Sequence, residues 1–154
     1  MLSPLLPLVL ALTPQYLPIT AKWCLPQGCI GLEVPQNAAQ YQQGLMQRPA
    51  LEPWRGMWFR FEPARPVSFW MKNCLAPLDL VFTRDGQVAG IEADVPPCTA
   101  DPCPSYPSPG PVDGVIELRA GRAAELGLKP GSPATPIPGS TGLGAYRQPM
   151  ASPD

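Results

Sequence analysis

The stretch Phe69–Asp79, which reads FWMKNCLAPLD, decides the fold class of this chain. Apolar side chains alternate with polar or bulky ones as far as Lys72, and the same period of two recurs in Met57–Phe61 and Leu78–Thr83. Such alternation is typical of strands that bury one face. Three such runs in succession predict antiparallel strands, and Asp85-Gly86 predicts a tight hairpin into a further strand.

Other elements are predicted on either side of this β-rich centre. Ile30–Val34 and Val115–Leu118 have the pattern of strands, and Asn37 is placed to cap a short helix that ends at Gly44. Gly121–Leu126 is predicted to form one helical turn. The segment Pro96–Pro111 is too rich in proline for regular structure and is predicted to be a long loop.

Length and composition limit the kinds of protein that this chain can be. Its 154 residues suit a single domain, and a formal net charge of −1 gives no field that would gather nucleic acid. Histidine is absent. This excludes Ser-His-Asp and Cys-His catalysis and histidine-ligated zinc, so acid–base chemistry would depend on carboxylates, lysine or cysteine.

The two ends of the chain differ in composition from its middle. Leu2–Leu12 is apolar, is too short to span a bilayer, and resembles the hydrophobic region of a signal peptide with cleavage after Ala21. A disordered leader or a wrongly assigned start is the alternative. We therefore expect a signal peptide over residues 1–21, one β domain over 22–131, and a disordered tail over 132–154, which is rich in proline, glycine and serine.

Cysteine spacing supports export to an oxidising compartment. Cys24 and Cys29 are five residues apart, as are Cys98 and Cys103, and Cys74 is left over. Each close pair is expected to form a structural disulfide, which suits a periplasmic or secreted protein. A zinc site built from the four paired cysteines is the alternative. No transmembrane helix is expected in the mature form.

Several spaced motifs resemble the domain of unknown function (DUF) 192 family over about residues 30–131. They are Gly44-Leu45-Met46-x-Arg48, Gly56-Met57-x-Phe59, Phe69-Trp70-Met71-Lys72-Asn73, Pro77-Leu78-Asp79, Pro96-Pro97-Cys98 through Cys103, and Ala120-Gly121 with Gly127-Leu128. The resemblance implies a mostly β domain, a compact antiparallel sandwich or barrel of jelly-roll type with one or two short helices. It implies no activity. Cys74 stands where a threonine is expected, and Pro133, Pro136 and Pro138 interrupt the last strand.

Five residues form the candidate ligand site. We expect Arg48 and Lys72 to hold an anionic group, Asn73 to supply hydrogen bonds, Asp79 to orient the lysine, and Trp70 to stack on a ligand ring. The structural alternative is a Lys72–Asp79 ion pair, with Asn73 bonded to turn amides and Trp70 packed under a loop.

The remaining candidates are weaker. Cys74 beside Lys72 is either a nucleophile or an incidental thiol. Met46, Met57 and Met71 suggest copper, but packing explains them better, so no metal or cofactor is expected.

The leading hypothesis is therefore a monomeric binding or accessory module for an unidentified small-molecule or envelope ligand, with no role in binding nucleic acid. Two alternatives remain. The first is a hydrolase or isomerase that uses Lys72 and Asp79 as acid and base. The second is an envelope protein whose surface makes protein contacts.

Overall fold

The computed structural model describes residues 12–139, which form nine strands and two short helices. In chain order these elements are β1 (Ile19–Leu25), β2 (Gly28–Glu33), α1 (Ala38–Gln43), β3 (Arg55–Arg65), β4 (Ser68–Phe69), β5 (Leu78–Arg84), β6 (Gln87–Val95), β7 (Tyr106–Pro107), β8 (Val112–Arg119), α2 (Arg122–Glu125) and β9 (Ile137–Pro138). The prediction of a mostly β domain with one or two short helices is confirmed.

Seven of these strands form one sheet in the order β6-β5-β8-β3-β2-β1-β9, and β4 pairs with β7 in a second, two-stranded sheet. The large sheet is mixed, because β2 and β3 run parallel while its other neighbouring strands are antiparallel. It does not close into a barrel, because its end strands β6 and β9 do not pair with each other. Parallel neighbours need a long connection. Here it is supplied by residues 34–54, which include α1.

The central strands bury both of their faces. Along β8, Val115 belongs to one apolar cluster and Ile116 to another. Because successive side chains of a strand point to opposite faces, these two clusters lie on opposite sides of the sheet. The first cluster, which contains Phe59, Phe69 and Val115, is the one against which the candidate site is built.

Helix α1 is fixed above the first cluster by its cap and by one aromatic side chain. The side chain of Asn37 accepts a hydrogen bond from the Gln40 amide at 2.9 Å, as its predicted capping role requires. Tyr41 lies edge-on to Phe59 with ring centroids 5.7 Å apart. At Gly44 the backbone is left-handed, with φ of 49°, and a Cβ there would meet the Phe59 ring at 3.3 Å. Only glycine lets the chain leave the helix so close to the core.

The hairpin predicted at Asp85-Gly86 joins β5 to β6, with positive φ at both turn residues. The predicted Pro96–Pro111 loop differs from expectation at one point, because it contains β7. Tyr106 of β7 pairs with Phe69, and Pro107 pairs with Ser68. Proline is tolerated in such a short strand at a sheet edge, where its missing N–H need not serve a second neighbour.

Both ends of the described chain pack onto the sheet. Ala134 is buried, and β9 pairs with β1, so order extends at least eight residues beyond the predicted boundary at residue 131. Residues 140–154 of the predicted tail and residues 1–11 of the predicted leader lie outside the described residues. Cleavage after Ala21 would remove the first three residues of β1, and the signal peptide stays a prediction.

Both predicted disulfides are present. Cys24–Cys29 joins paired residues of the β1–β2 hairpin, and Cys98–Cys103 closes a loop beside Lys72. Cys74 is the free cysteine of residues 12–139. In that same part of the chain, no helix has the length and apolar character needed to span a membrane.

Candidate functional site

Arg48 does not face the Lys72 region. Its guanidinium donates two hydrogen bonds of 2.9 Å to the carboxylate of Glu33, and a third of 3.0 Å to the Gln15 carbonyl. Arg48 is 6% exposed and Glu33 is fully buried. The planar guanidinium matches the carboxylate in a bidentate pair. Arg48 therefore joins the N-terminal segment to β2 instead of holding an anionic ligand.

The carboxylate of Asp79 is likewise engaged in hydrogen bonds with the backbone. It is fully buried and accepts hydrogen bonds from the amides of Asp94 at 2.9 Å, Gly121 at 3.1 Å and Ala123 at 2.8 Å. These bonds tie β5 to β6 and to the start of α2. The expected ion pair with Lys72 is not formed, because Lys72 pairs instead with Asp101 of the disulfide loop, at 3.6 Å between Nζ and Oδ1.

The other three predicted site residues lie together. The Lys72 ammonium lies over the Trp70 ring, 5.2 Å from its centroid. Asn73 has a left-handed backbone, with φ of 59°, and its carbonyl accepts hydrogen bonds from both the amide and the side chain of Gln47. The turn of Asn73 holds the chain that follows α1 against the chain that follows β4.

A narrow cleft separates these two segments, and we call it the α1 crevice. Its volume is about 20 Å³, which is room for about one water molecule. Its lining residues come from α1 and the turn after it, from the chain around Trp70, and from the sheet beneath. They are Tyr41, Gln42, Gln43, Gly44, Leu45, Met46, Phe59, Phe69, Trp70, Lys72, Cys74 and Glu117.

Two polar atoms of the crevice residues are buried without a hydrogen-bond partner. They are the indole Nε1 of Trp70 and the Oε2 of Glu117. A buried donor or acceptor left without a partner costs roughly 1–3 kcal/mol. Natural folds keep few such atoms, and those that remain call for an explanation, such as a functional role or a bound molecule.

Glu117 lies at the centre of the sheet. It belongs to β8, where Met57 and Leu80 pair with it from either side, and it is 5% exposed. Burial raises the pKa of this carboxyl to about 8, because the surroundings penalise its charged form. Sequence reasoning missed Glu117. The available signal was an acidic residue on the same strand face as Val115, in an otherwise apolar run.

Cys74 lines the same crevice but is poorly suited to act as a nucleophile. Burial, with a further contribution from the nearby Glu117 carboxylate, raises the pKa of its thiol to about 12. Nucleophilic and metal-binding cysteines need the thiolate, which low-dielectric surroundings disfavour. The interpretation of Cys74 as an incidental thiol fits these surroundings better than the nucleophile does.

Slow alkylation of Cys74 is therefore expected. With a thiol pKa near 12, the thiolate fraction at pH 8 is about a thousandfold below that of an ordinary cysteine. Labelling of the folded, oxidised protein with iodoacetamide, followed by mass spectrometry, measures the rate. The same protein unfolded in urea without reductant serves as the control. Equal rates in the folded and unfolded protein would contradict a buried, protonated thiol.

Glu117 should make stability fall as pH rises. The folded protein binds the Glu117 proton up to about pH 8, whereas the unfolded chain loses it near 4.5. Between these two values the free energy of unfolding should fall by about 1.4 kcal/mol per pH unit from this group, and then level off. Urea unfolding of Glu117→Gln should lack this slope. If the free energies of unfolding of the wild type and the variant change with pH in parallel, the Glu117 carboxyl is not buried without a partner.

Metal chemistry has no evident ligand set here. Among residues 12–139, no group of three or more histidine, cysteine, aspartate or glutamate side chains is placed to hold a metal ion. Met57 and Met71 are buried in the first apolar cluster, while Met46 reaches the crevice. Packing accounts for the first two, as predicted.

The comparisons with known proteins identify the family. The DUF192 family, described as an uncharacterized ACR, matches residues 24–135, so the chain belongs to this family. A crystal structure of a proposed transcription regulator from Sinorhizobium meliloti 1021 is similar, with 33% sequence identity and a TM-score of 0.66, covering 75% of this chain and 91% of that one.

A second crystal structure, of a protein of unknown function from Novosphingobium aromaticivorans DSM 12444, is 30% identical with a TM-score of 0.68. It covers 81% of this chain and 94% of that one. No curated protein matches the chain.

Proposed function

We propose that this chain is a non-catalytic binding module whose α1 crevice receives a small polar group of its ligand. The observation that carries the proposal is the presence of two buried, partnerless polar atoms, Trp70 Nε1 and Glu117 Oε2, in residues that line one crevice. A ligand group that pairs with both atoms removes the free-energy cost of leaving them without partners. Trp70 and Lys72 of the predicted site are retained and Glu117 joins them, whereas Arg48, Asn73 and Asp79 do not line the crevice.

The side chains around the crevice favour binding over catalysis. The Cys74 thiol is held in its protonated form, and the chain has no histidine to act as a base. The predicted acid–base pair is separated, since Asp79 bonds three backbone amides while Lys72 pairs with Asp101. These contacts argue against a hydrolase or isomerase that uses Lys72 and Asp79.

One observation favours an enzyme as the second candidate. A carboxyl with a pKa of about 8, such as that of Glu117, is suited to donate a proton near neutral pH. The two functions differ in what happens to the ligand. A binding module releases its ligand unchanged, whereas an enzyme that uses Glu117 converts it.

An extracytoplasmic location and a small-molecule or envelope ligand complete the proposal. The two disulfides support an oxidising compartment. The description of one relative as a transcription regulator would suggest DNA binding here, but a formal net charge of −1 gives that role little support.

Nuclear magnetic resonance of the tryptophan indoles tests the proposal. The chain has four tryptophans, and Trp70→Phe assigns the Trp70 signal by its disappearance. Ethanolamine, ethylene glycol, acetamide and acetate are each titrated into the ¹⁵N-labelled full chain. We expect at least one of them to shift the Trp70 indole signal along a saturable curve, because it gives Nε1 an acceptor. The indole of Trp54, which does not line the crevice, should stay in place.

Matched variants locate the binding. Glu117→Gln should weaken the Trp70 response at least tenfold, while Glu92→Gln, which changes an exposed carboxylate, should leave it unchanged. The proposal fails if none of the four probes moves the Trp70 signal at concentrations up to 0.5 M, or if Trp54 and Trp70 respond alike. Conversion of a probe during the titration would favour the enzyme.

A further inference from the structure

We infer that the group received by the α1 crevice is a primary ammonium with an oxygen acceptor next to it, as found in amino acids and amino sugars. This inference rests on the proposed function and specifies its ligand. It follows from the charge of the crevice, from its aromatic lining and from its two partnerless atoms.

Once the Glu117 carboxyl ionises, its negative charge has no free counter-charge in the lining of the crevice. Two of the residues that line it carry ionisable groups of opposite sign, Lys72 and Glu117. The Lys72 ammonium already pairs with Asp101 at 3.6 Å, while Glu117 Oε2 has no partner. Cys74 and Tyr41, the other titratable residues of the lining, add no positive charge. Buried charges in proteins are normally paired, so an incoming cation is the natural complement of the ionised form of Glu117.

The lining suits a cation as well. Tyr41, Phe59, Phe69 and Trp70 all reach the crevice. Aromatic faces attract ammonium groups through their quadrupoles, most strongly in tryptophan. The structure already shows this attraction at the rim, where the Lys72 ammonium lies 5.2 Å from the centroid of the Trp70 ring.

The second partnerless atom, Trp70 Nε1, determines which group the other half of the ligand must carry. Trp70 Nε1 is a donor and cannot bond an ammonium, so it requires an oxygen acceptor. A hydroxyl or carboxylate adjacent to the amine meets this need. A carboxylate would also lie near Lys72. The volume of about 20 Å³ admits the amine end of such a molecule while the remainder stays at the opening.

Binding of a cation to Glu117 is coupled to loss of its proton. The carboxyl must ionise to pair with an ammonium, and burial raises its pKa to about 8. The apparent affinity for an amine should therefore rise about tenfold per pH unit from pH 6 toward 8 and then level off. A neutral ligand should lack this rise.

Ethanolamine and ethylene glycol form a matched pair, because they differ only in an ammonium in place of a hydroxyl. Their dissociation constants for the full chain are measured from the Trp70 indole signal between pH 6 and 8.5. We expect ethanolamine to bind at least tenfold more tightly than ethylene glycol at pH 8, with the stated rise. In Glu117→Gln both the preference and the rise should vanish, while Glu92→Gln should keep them.

Glycine and glucosamine then distinguish an amino-acid source from an amino-sugar source, and tighter binding of either one supports the inference. Equal affinity for ethanolamine and ethylene glycol, or tighter binding of acetate, would overturn the ammonium assignment and leave the proposed function standing. Failure of all these probes to move Trp70 would overturn both. Retention of the amine preference in a folded Glu117→Gln would show that the cation lies elsewhere.

Discussion

Asp79→Ala is expected to lower the free energy of unfolding by about 3 kcal/mol or more. The carboxylate is fully buried and accepts hydrogen bonds from three backbone amides, those of Asp94, Gly121 and Ala123. Alanine leaves all three donors without partners, at roughly 1–3 kcal/mol for each. Because these amides belong to β6 and to the start of α2, both elements should loosen from β5. Urea denaturation followed by circular dichroism measures the loss.

Two further variants make this expectation specific. Asp79→Asn keeps one acceptor oxygen in nearly the same volume, so its loss should lie between those of the wild type and Asp79→Ala. Asp101→Ala removes an exposed carboxylate whose ion pair with Lys72 is half in solvent, and should cost about 1 kcal/mol or less. A loss below 1 kcal/mol for Asp79→Ala would mean that the three amides find other partners.

Arg48→Met should cost about 3–5 kcal/mol, because it leaves the fully buried Glu33 carboxylate without its bidentate partner. The variant also loses the bond from Arg48 to the Gln15 carbonyl. The partners left to Glu33 are Arg55, whose Nε lies 3.5 Å from the carboxylate, and the amide of Leu17, which donates to it at 2.7 Å; neither supplies a bidentate pair. Methionine keeps most of the volume of arginine, so the loss reports charge pairing more than packing. Thermal and urea unfolding measure the effect.

The double variant Glu33→Gln/Arg48→Met isolates the pairing. Removing the charge of Glu33 should recover at least half of the stability that Arg48→Met loses, since breaking a buried pair costs more than replacing both partners. Arg84→Met, at an exposed pair with Asp85, is the matched control and should change stability by about 1 kcal/mol or less. If the double variant is as unstable as the single one, the effect of Arg48 is packing alone.

The strands were predictable because their signal is local. Alternation in Met57–Phe61 and Leu78–Thr83 reports which side chains of a strand are buried, and the structure confirms both strands. The same alternation does not reveal which strand lies beside which. The parallel pairing of β2 with β3 depends on the route of residues 34–54, and no short stretch of sequence records it.

The Lys72–Asp79 pair failed for a similar reason. The two residues are close in sequence, but the disulfide loop supplies a different partner for Lys72. The backbones of Cys98 and Lys72 form an isolated β-bridge, which places Asp101 beside the Lys72 ammonium. Asp79 instead accepts hydrogen bonds from amides of β6 and of the start of α2. Such partners lie far along the chain. The spacing of residues in the sequence does not show whether a distant partner or a near neighbour will make the contact.

Glu117 was not predicted as a site residue, because a single acidic residue in a strand is usually exposed. Its neighbours in the sheet, Met57 and Leu80, come from distant parts of the chain, so its burial is a tertiary property. Trp70, Lys72 and Asn73 were singled out for their density of aromatic and polar groups, and the structure places Trp70 and Lys72 in the crevice with Glu117. A role for them in binding stays a prediction.

The pKa of Glu117 tests most directly whether the crevice holds an unsatisfied polar site. Carbon-13 nuclear magnetic resonance of the glutamate side-chain carboxyls, with Glu117→Gln for assignment, follows its titration in the ligand-free full chain. The structure predicts a midpoint at about pH 8, because the carboxyl is buried and Oε2 lacks a partner. A midpoint near the ordinary 4.5 would show that Glu117 is solvated or paired, and would contradict the binding site proposed for this protein.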